Sequence, residues 1–255
     1  MAVRQTYLFD EGPDGASPAI SGDIIEVNGA TYTGGSKDGP FALLGSGVGT
    51  QYIGIANSGT INHSGSVYVK PGGQPTGSNR FVNITTSQLA IVVAIRIHSD
   101  GHFDVTNGAT RAGVTSFSWV ADQWYRVDWQ FNQTVQASPV FTVRFFVDPD
   151  ATVPNETLSF TGSGAPGNMS RWRIGLFSSA GASAAVTLDT FRVADGLEWI
   201  GPYSSSSLTG KGKVWDAASS TWKTFTPKAY SGGVAVPAKA KVWDAGTGTW
   251  KVTKS

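Results

Sequence analysis

The sequence predicts an all-β protein: one large antiparallel sandwich of the jelly-roll type, followed by a short segment built from a repeat. Three observations lead to this prediction. Apolar and polar residues alternate with a period of two through much of the chain, and no helical stripe is evident. The composition includes 32 glycines and 12 prolines, which favour frequent turns over long helices. A tryptophan-containing motif near the end of the sequence occurs twice.

The composition excludes several classes of function. Only 15% of the residues are charged and the formal net charge is +1, so no strong field gathers nucleic acid or an anionic membrane. The absence of cysteine excludes disulfides and thiolate metal sites. No apolar run approaches the roughly 18 residues of a membrane-spanning helix, and residues 1–7 lack the apolar core of a signal peptide. We therefore expect no nucleic-acid partner, no membrane insertion and no secretory signal.

The clearest hairpin joins residues 89–98 to residues 102–106. A three-residue loop with Gly101 in the left-handed conformation brings the apolar residues of both strands onto one face. A two-residue loop would place a polar side chain on that face. We therefore predict the three-residue loop, which sets Arg96 opposite Asp104.

A second hairpin is predicted from two apolar rows. The rows are Tyr125, Val127, Trp129 and Phe131 on one strand, and Phe141, Val143, Phe145 and Val147 on the other. Pairing Trp129 with Val143 aligns both rows. The same register sets Asp128 opposite Arg144, which is a favourable cross-strand charge pair.

Other strands are predicted from the same alternation. Residues 171–177 form a strand with Trp172, Ile174 and Leu176 facing inward. In residues 186–193 the apolar parity switches, which predicts a β-bulge near Asp189 and Thr190. Short strands in the first part of the chain are predicted at residues 7–9, 24–27, 41–44, 51–55 and 66–69, without a prediction of their order.

A serine-rich stretch divides the chain into a sandwich domain at residues 1–203, a linker at 204–210 and a repeat segment at 211–255. The sequence Lys-Val-Trp-Asp-Ala occurs at residues 213–217 and again at 241–245, 28 residues later, and each copy predicts a β-hairpin. The segment holds four of the nine tryptophans. We expect them to form assembly contacts, because aromatic anchors dominate many interfaces; they are Trp215, Trp222, Trp243 and Trp250. The alternative is that they bury against the sandwich.

These motifs resemble a known family. Trp-Tyr-Arg-Val-Asp-Trp at residues 124–129, Leu-Asp-Thr-Phe-Arg-Val at 188–193 and Trp-Ile-Gly-Pro-Tyr at 199–203 are similar to concanavalin A-like, or laminin-G-like, jelly rolls. More narrowly, the chain resembles such domains in minor tail proteins of phages that infect actinobacteria, which often end in Lys-Val-Trp…Trp repeats. The resemblance covers residues 4–203 for the fold and 211–252 for the repeats.

The resemblance implies two antiparallel sheets with a curved, open face and a role in a phage virion. We expect a structural or adhesion component, a minor tail protein made in the host cytoplasm. Its partners would be other virion proteins, further copies of itself and a host-surface glycan. Two alternatives stay open: a free carbohydrate-binding lectin, and a decoration or fibre protein of the capsid.

The candidate ligand-binding residues lie on the parity opposite to the apolar rows of the two hairpins, which we expect to be adjacent. Aromatic rings beside planar hydrogen-bonding groups suit sugar recognition. The candidates are Arg96, His98, Asp104, Trp124, Arg126, Asp128, Arg144 and Phe146. The alternative is that this side packs against a loop or a neighbouring subunit.

Catalysis, a metal and a cofactor are not expected. Glycosidases of this superfamily use paired carboxylates on a Glu-x-Asp-x-x-Glu strand, and none of the four glutamates lies in such a pattern; they are Glu11, Glu26, Glu156 and Glu198. Asp104 and Asp128 are each expected to pair with an arginine, which lowers the pKa of the carboxyl and makes it a poor general acid. His98 and His102 face each other in the predicted hairpin, but two imidazoles alone make a weak metal site.

Overall fold

The computed structural model describes most of the first 203 residues and four short strands beyond them. The described ranges are 5–7, 14–18, 24–34, 36–37, 42–45, 48–56, 62–86, 91–135, 138–162, 169–182, 184–203, 212–216, 221–225, 241–244 and 249–252. Every regular element in these ranges is a β-strand, which confirms the all-β prediction. The chain divides into two compact units, Met1–Tyr203 and Ser204–Ser255. The described ranges include no helix with the length and hydropathy needed to cross a membrane.

The strands are numbered in chain order. They are β1 (Gln5–Tyr7), β2 (Ile24–Asn28), β3 (Thr31–Thr33), β4 (Ala42–Gly45), β5 (Val48–Ala56), β6 (Asn62–Pro71), β7 (Ser78–Thr86), β8 (Ile91–His98), β9 (His102–Asn107), β10 (Thr110–Ser118), β11 (Tyr125–Asn132), β12 (Val140–Phe146), β13 (Glu156–Thr161), β14 (Met169–Ala182), β15 (Val186–Asp195), β16 (Gly212–Asp216), β17 (Thr221–Phe225), β18 (Lys241–Asp244) and β19 (Thr249–Val252).

The first unit contains two antiparallel sheets, as the jelly-roll prediction required. Sheet A has the strand order β13-β12-β11-β6-β15-β4-β3, and β1 also pairs with β15. Sheet B has the order β10-β9-β8-β7-β14-β5-β2. Strands β14 and β15, the last two of the sandwich in sequence, thus lie in the interior of the two sheets.

The core lies between the two sheets, where the apolar parity of each strand meets that of the other sheet. Val127 and Trp129 of sheet A belong to one buried cluster with Ile95 and Trp172 of sheet B. Burying each such side chain contributes roughly 1.5–3 kcal/mol. Trp129 packs directly on Gly65 of β6, where a Cβ atom would lie 2.1 Å from the indole ring. Only glycine leaves room for this ring.

The predicted register of the first hairpin is confirmed. Strands β8 and β9 pair Ile97 with Phe103 and Arg96 with Asp104. Gly101 has a φ of 87°, the left-handed conformation that the three-residue loop requires.

The predicted register of the second hairpin and the bulge are also confirmed. Strands β11 and β12 pair Trp129 with Val143 and set Asp128 opposite Arg144. The pairing of β15 with β6 shifts between Asp189 and Arg192, and Thr190 in that interval has a φ of 46°.

The first 86 residues contain more strands than the sequence predicted. Strands β2, β4, β5 and β6 occupy the predicted places, whereas β3 and β7 were missed, as were the later strands β10 and β13. Strand β1 begins two residues before the strand predicted at 7–9. Predicted strand residues 8–9, 41 and 89–90, and the linker 204–210, lie outside the described residues.

In the second unit, each copy of the repeat forms its own two-stranded antiparallel hairpin. Strands β16 and β17 pair Trp215 with Trp222. Strands β18 and β19 pair Trp243 with Trp250. The two tryptophans of each copy therefore occupy one cross-strand position.

Candidate functional site

The eight candidate residues lie in two different sheets. Arg96, His98 and Asp104 belong to β8 and β9 of sheet B, whereas the other five lie on or beside β11 and β12 of sheet A. The prediction that the two hairpins are adjacent was wrong: β11 pairs with β6 and β12, and β8 pairs with β7 and β9. Because the core lies between the sheets, the two groups occupy opposite outer faces.

The outer face of sheet A holds a buried ion pair. Nε of Arg126 lies 3.2 Å from both carboxylate oxygens of Asp128, and the two residues are 0% and 1% exposed. Nη2 of Arg126 donates to the carbonyl of Ala151 at 2.7 Å, and Nη1 donates to the carbonyl of Pro149. The guanidinium stacks on Phe146, with its carbon 3.7 Å from the ring centroid. Arg126 is therefore tied to Asp128, to the Phe146 ring and to the backbone of residues 149–151.

The ionisation of Asp128 differs from the expectation. Its ion partner is Arg126 on the same strand, whereas the guanidinium of Arg144 lies 3.8 Å from the ring centroid of Trp199. Burial raises the pKa of the Asp128 carboxyl more than Arg126, Ser66 and the other partners lower it. The prediction of a lowered pKa for this carboxyl was wrong, because desolvation outweighs the paired charge.

A second segment, residues 197–203, also packs on the outer face of sheet A. Arg192 donates to the carbonyls of Gly201 and Pro202, and the backbone N–H of Tyr203 donates to the Tyr68 hydroxyl at 2.7 Å. Of the candidate residues on this side, Trp124 is half-buried, and the Lys70 ammonium lies 5.1 Å from its ring centroid. The protein's own chain thus occupies much of this face.

The outer face of sheet B carries a set of arginines, acidic residues and aromatic rings that we call the arginine face. Trp172 and Ile174 of β14 point into the core, so Arg171 and Arg173 point outward. The alternation Arg-Trp-Arg-Ile was visible in the sequence, but its outward residues were not considered as candidates. The members of the face are Glu26, Tyr52, Arg80, Asn83, Arg96, Asp104, Thr106, Arg111, Arg171, Arg173 and Phe177.

At one end of the arginine face, three side chains converge on Glu26. Nη2 of Arg173 lies 2.9 Å from both carboxylate oxygens, and Nη1 of Arg171 lies 3.3 Å from Oε2. The Tyr52 hydroxyl donates to Oε1 at 2.5 Å, and the Tyr52 ring stacks on Phe177 at 4.7 Å.

The ionisation states at this end are set by the same contacts. Burial acts to raise the pKa of Glu26, but the hydrogen bonds from Tyr52 and Arg173 and the arginine charges outweigh it, so the pKa is lowered. Burial and the neighbouring Glu26 carboxylate raise the pKa of Tyr52. At neutral pH Glu26 is therefore ionised and Tyr52 keeps its proton, which fixes the direction of this hydrogen bond.

At the other end of the arginine face, Asp104 is fully buried between two arginines. Arg96 binds both of its oxygens, with Nε at 2.5 Å and Nη2 at 2.7 Å. Nε of Arg111 lies 2.8 Å from Oδ2. The predicted Arg96–Asp104 pair is thus present, and Arg111 extends it.

The loop beside this end determines the environment of the two histidines. Burial acts to raise the pKa of Asp100, but the hydrogen bonds from Arg111 and from the backbone N–H of His102, together with the charge of Arg111, lower it to about 2. Nδ1 of His98 accepts a hydrogen bond from the backbone N–H of Asp100, whereas Nδ1 of His102 lies 2.9 Å from the carbonyl oxygen of Phe117. In the described part of the chain, no three His, Cys, Asp or Glu side chains gather into a cluster that could hold a metal ion.

The middle of the arginine face contains polar groups without partners. Asn83 and Thr106 are 2% and 1% exposed, and neither Oδ1 of Asn83 nor Oγ1 of Thr106 has a hydrogen-bond partner among the described residues. Both lie in one cross-strand row with Arg173, Ala94 and Arg111. Buried polar atoms in native proteins are usually hydrogen-bonded, so such exceptions call for an explanation.

No family model and no curated protein matches this sequence. Solved structures do match. The endo-β-1,4-glucuronan lyase of the fungus Trichoderma reesei is 9% identical, with a TM-score of 0.51 over 76% of this chain and 96% of that chain. An alginate lyase of Aplysia kurodai is 9% identical, with a TM-score of 0.47 over 64% and 87%. A Trypanosoma rangeli sialidase is 16% identical, with a TM-score of 0.47 over 71% of this chain and 30% of that one.

These comparisons confirm the β-sandwich fold and correct one expectation. At 9% identity, the likeness to the glucuronan lyase shows a shared architecture. The expectation that the chain is not an enzyme is contradicted, because the glucuronan lyase whose structure it matches is an enzyme. The raised pKa of Asp128 does not support that expectation either.

Proposed function

We propose that the first unit is a carbohydrate-binding domain that uses the arginine face. The observation that carries the proposal is the way carboxylates hold the arginines in place. Glu26 holds Arg171 and Arg173, and Asp104 holds Arg96 and Arg111. This proposal takes up the lectin alternative and moves the site from two hairpins to the outer face of one sheet.

Fixed guanidinium groups suit sugar hydroxyls for a physical reason. A guanidinium has five N–H donors in a planar fork, and a carboxylate uses only part of them. The side chain of Arg96 is 12% exposed and that of Arg111 is 36% exposed, so some of the fork is accessible to a ligand. Because the carboxylates have already restricted the side chains, less conformational entropy is lost on binding.

The unpartnered atoms in the middle of the face agree with this proposal. Oδ1 of Asn83 and Oγ1 of Thr106 can accept hydrogen bonds, and sugar hydroxyls can donate them. The lyase with which this chain shares its fold is named for glucuronan, which fits a polymeric sugar as ligand.

The test is a binding survey of the full chain on immobilised oligosaccharides and polysaccharides, with two variants. Arg171→Met/Arg173→Met removes one pair of donors from the arginine face. Arg144→Met removes an arginine from the other outer face and serves as the matched control. We expect saccharide binding that the double variant loses and the control keeps.

Two results would contradict this proposal: the absence of any bound saccharide, or equal binding by the double variant. Release of shorter oligosaccharides is followed in the same incubations, because the fold serves enzymes as well as binding proteins. Such release would extend the proposal from binding to cleavage at the same face.

We propose in addition that the second unit attaches the chain to other proteins, as the phage-tail resemblance implies. In the described residues each repeat forms a two-stranded hairpin, and such hairpins are marginal in water unless they pack on something else. The partners would be other virion proteins or further copies of this chain. Trp215 and Trp243 hold the same place in the two copies, so they are the first residues to test.

Sedimentation velocity of the full chain, compared with a chain that ends at residue 203, tests this attachment role. We expect the full chain to self-associate, or to bind virion proteins of the phage that encodes it, and the shortened chain to do neither. The Trp215→Ala/Trp243→Ala variant should behave like the shortened chain. Equal association by all three proteins would refute the role of the repeats.

A further inference from the structure

We propose that the arginine face recognises an acidic saccharide, and that Arg80 binds its carboxylate. This inference rests on the proposed function and names the class of sugar. It is carried by Arg80, a cation in the middle of the face that has no counter-ion among the residues that the structure describes.

Arg80 differs from the other arginines of this face. Arg96, Arg111, Arg171 and Arg173 each lie within 3.3 Å of a carboxylate oxygen. Arg80 forms no ion pair or hydrogen bond with any side chain that the structure describes, although it is partly buried. A partly buried cation without a partner lowers stability, so its presence calls for a functional explanation.

Neither of the cross-strand neighbours of Arg80 can supply a counter-ion. Its cross-strand partner on β8 is Arg96 and its cross-strand partner on β14 is Phe177. Like charges directly opposite each other in a sheet repel. Burial, followed by the charge of Arg96, lowers the pKa of Arg80.

The charge of the whole face has the same sign. Among the described residues, the guanidinium groups of Arg80, Arg96, Arg111, Arg171 and Arg173 outnumber the carboxylates by two. The carboxylates are those of Glu26 and Asp104 on the face and of Asp100 in the adjacent loop. The chain as a whole has a net charge of only +1. Positive charge is therefore concentrated on the arginine face. The face also contains Oδ1 of Asn83 and Oγ1 of Thr106, which have no hydrogen-bond partner among the described residues.

A sugar carboxylate fits this arrangement. Its two oxygens match the planar fork of a guanidinium, and the resulting charge-assisted hydrogen bonds are stronger than those of a hydroxyl. A carboxylate bound at Arg80 would also reduce the electrostatic repulsion between the guanidinium groups of Arg80 and Arg96. A neutral sugar could use the remaining donors of the face but would leave Arg80 without a counter-ion.

The experiment measures the affinity of the full chain, by calorimetry, for two ligands that differ only in charge. One is a short β-1,4-linked glucan oligosaccharide, and the other is its counterpart with a carboxylate on every sugar. We expect the acidic ligand to bind at least about tenfold more tightly, and Arg80→Met to weaken the binding of the acidic ligand at least about fivefold more than that of the neutral ligand. Arg80→Lys should keep part of the advantage, since it keeps the charge but loses the fork.

Arg144→Met is again the matched control, with both affinities unchanged. Thermal unfolding verifies that Arg80→Met is folded, which we expect because the substitution removes a repulsion. Equal affinity for the two ligands, or an equal loss of both affinities in Arg80→Met, would overturn the acidic-saccharide inference while leaving the proposed function intact. Failure of the chain to bind either ligand or any surveyed saccharide would overturn both.

Discussion

The two outer faces of the sandwich are built from the same kinds of residue and differ in what lies above them. On sheet A, Arg126 and Asp128 are buried, Arg126 donates to the carbonyl of Ala151, and residues 197–203 pack on the same face. On sheet B, Arg96 and Arg111 bind Asp104, and the side chain of Arg111 remains 36% exposed. An alternating strand places arginine and aspartate outward in both cases, but the loops decide which pair is structural and which is available to a ligand.

This difference also separates the energetics of the two faces. A buried ion pair must offset the desolvation of both charges, so removing one partner leaves an uncompensated charge in the interior. A partly exposed pair is screened by water and contributes less. Substitutions of the same type should therefore have unequal effects on the two sheets.

The largest effect is expected for Arg126→Met. Asp128 would lose its ion partner while staying covered, and we expect a loss of about 3–5 kcal/mol in the free energy of unfolding, measured by urea denaturation. The double variant Arg126→Met/Asp128→Leu should recover most of this loss, because it removes both charges. A single variant as stable as the wild type would show that the covering segments open readily.

Gly54→Ala should have the next largest effect. A Cβ atom at this position would lie 2.8 Å from Cβ of Glu26, so it would displace the side chain that Arg173 binds. We expect destabilisation of about 1–3 kcal/mol and weaker saccharide binding. Gly73→Ala is the control, because its Cβ would meet Ala184 at an ordinary 3.6 Å. Equal stability of the two variants would argue against a rigid Glu26 cluster.

Arg111→Met tests the ion pair between Arg111, whose side chain is partly exposed, and the buried Asp104 on sheet B. Asp104 keeps its bidentate contact with Arg96, and the lost contacts are partly screened by solvent. We expect a loss below about 1 kcal/mol in urea denaturation. A loss as large as that of Arg126→Met would mean that the arginine face is as thoroughly desolvated as sheet A.

The pH dependence should differ in sign between the two faces. The pKa of Glu26 is lowered by folding, so its stabilisation is present above its ordinary value of 4.5 and is lost as the pH falls through the folded-state pKa. The raised pKa of Asp128 acts oppositely: its contribution is present below 3.8 and is lost as the pH rises through the folded-state pKa. Thermal unfolding from pH 7 down to about pH 2 should show the wild type approaching the stability of Glu26→Gln. A constant difference between the two proteins would exclude this role of Glu26.

The registers of the two hairpins could be predicted because they depend on local information. Gly101 determines the loop, and the apolar parity then fixes which residues face each other. The bulge at Asp189 and Thr190 was predictable for the same reason, since the parity switch is written into one strand.

The assignment of the hairpins to sheets could not be predicted in the same way. The pairing of β11 with β6, and the place of β14 between β7 and β5, join segments that are far apart in sequence. The loops that cover Arg126 have no periodicity to reveal their position. Arg80 was missed because the register of β7 shifts between Arg80 and Val82, so that alternation along the strand does not show which way its side chain points.

Because β14 and β15 lie in the interior of their sheets, neither sheet can be completed until these two strands have been synthesised. Strand β15 pairs with β6 on one side and with β4 and β1 on the other, and β14 joins β5 to β7. During synthesis, the earlier strands therefore wait, with open hydrogen-bonding edges, until nearly 200 residues have been made. Such long-range closure makes folding slow and exposes strand edges to other chains. When many copies are synthesised at once, the open strand edges of one incomplete chain can therefore pair with those of another until β14 and β15 have been made.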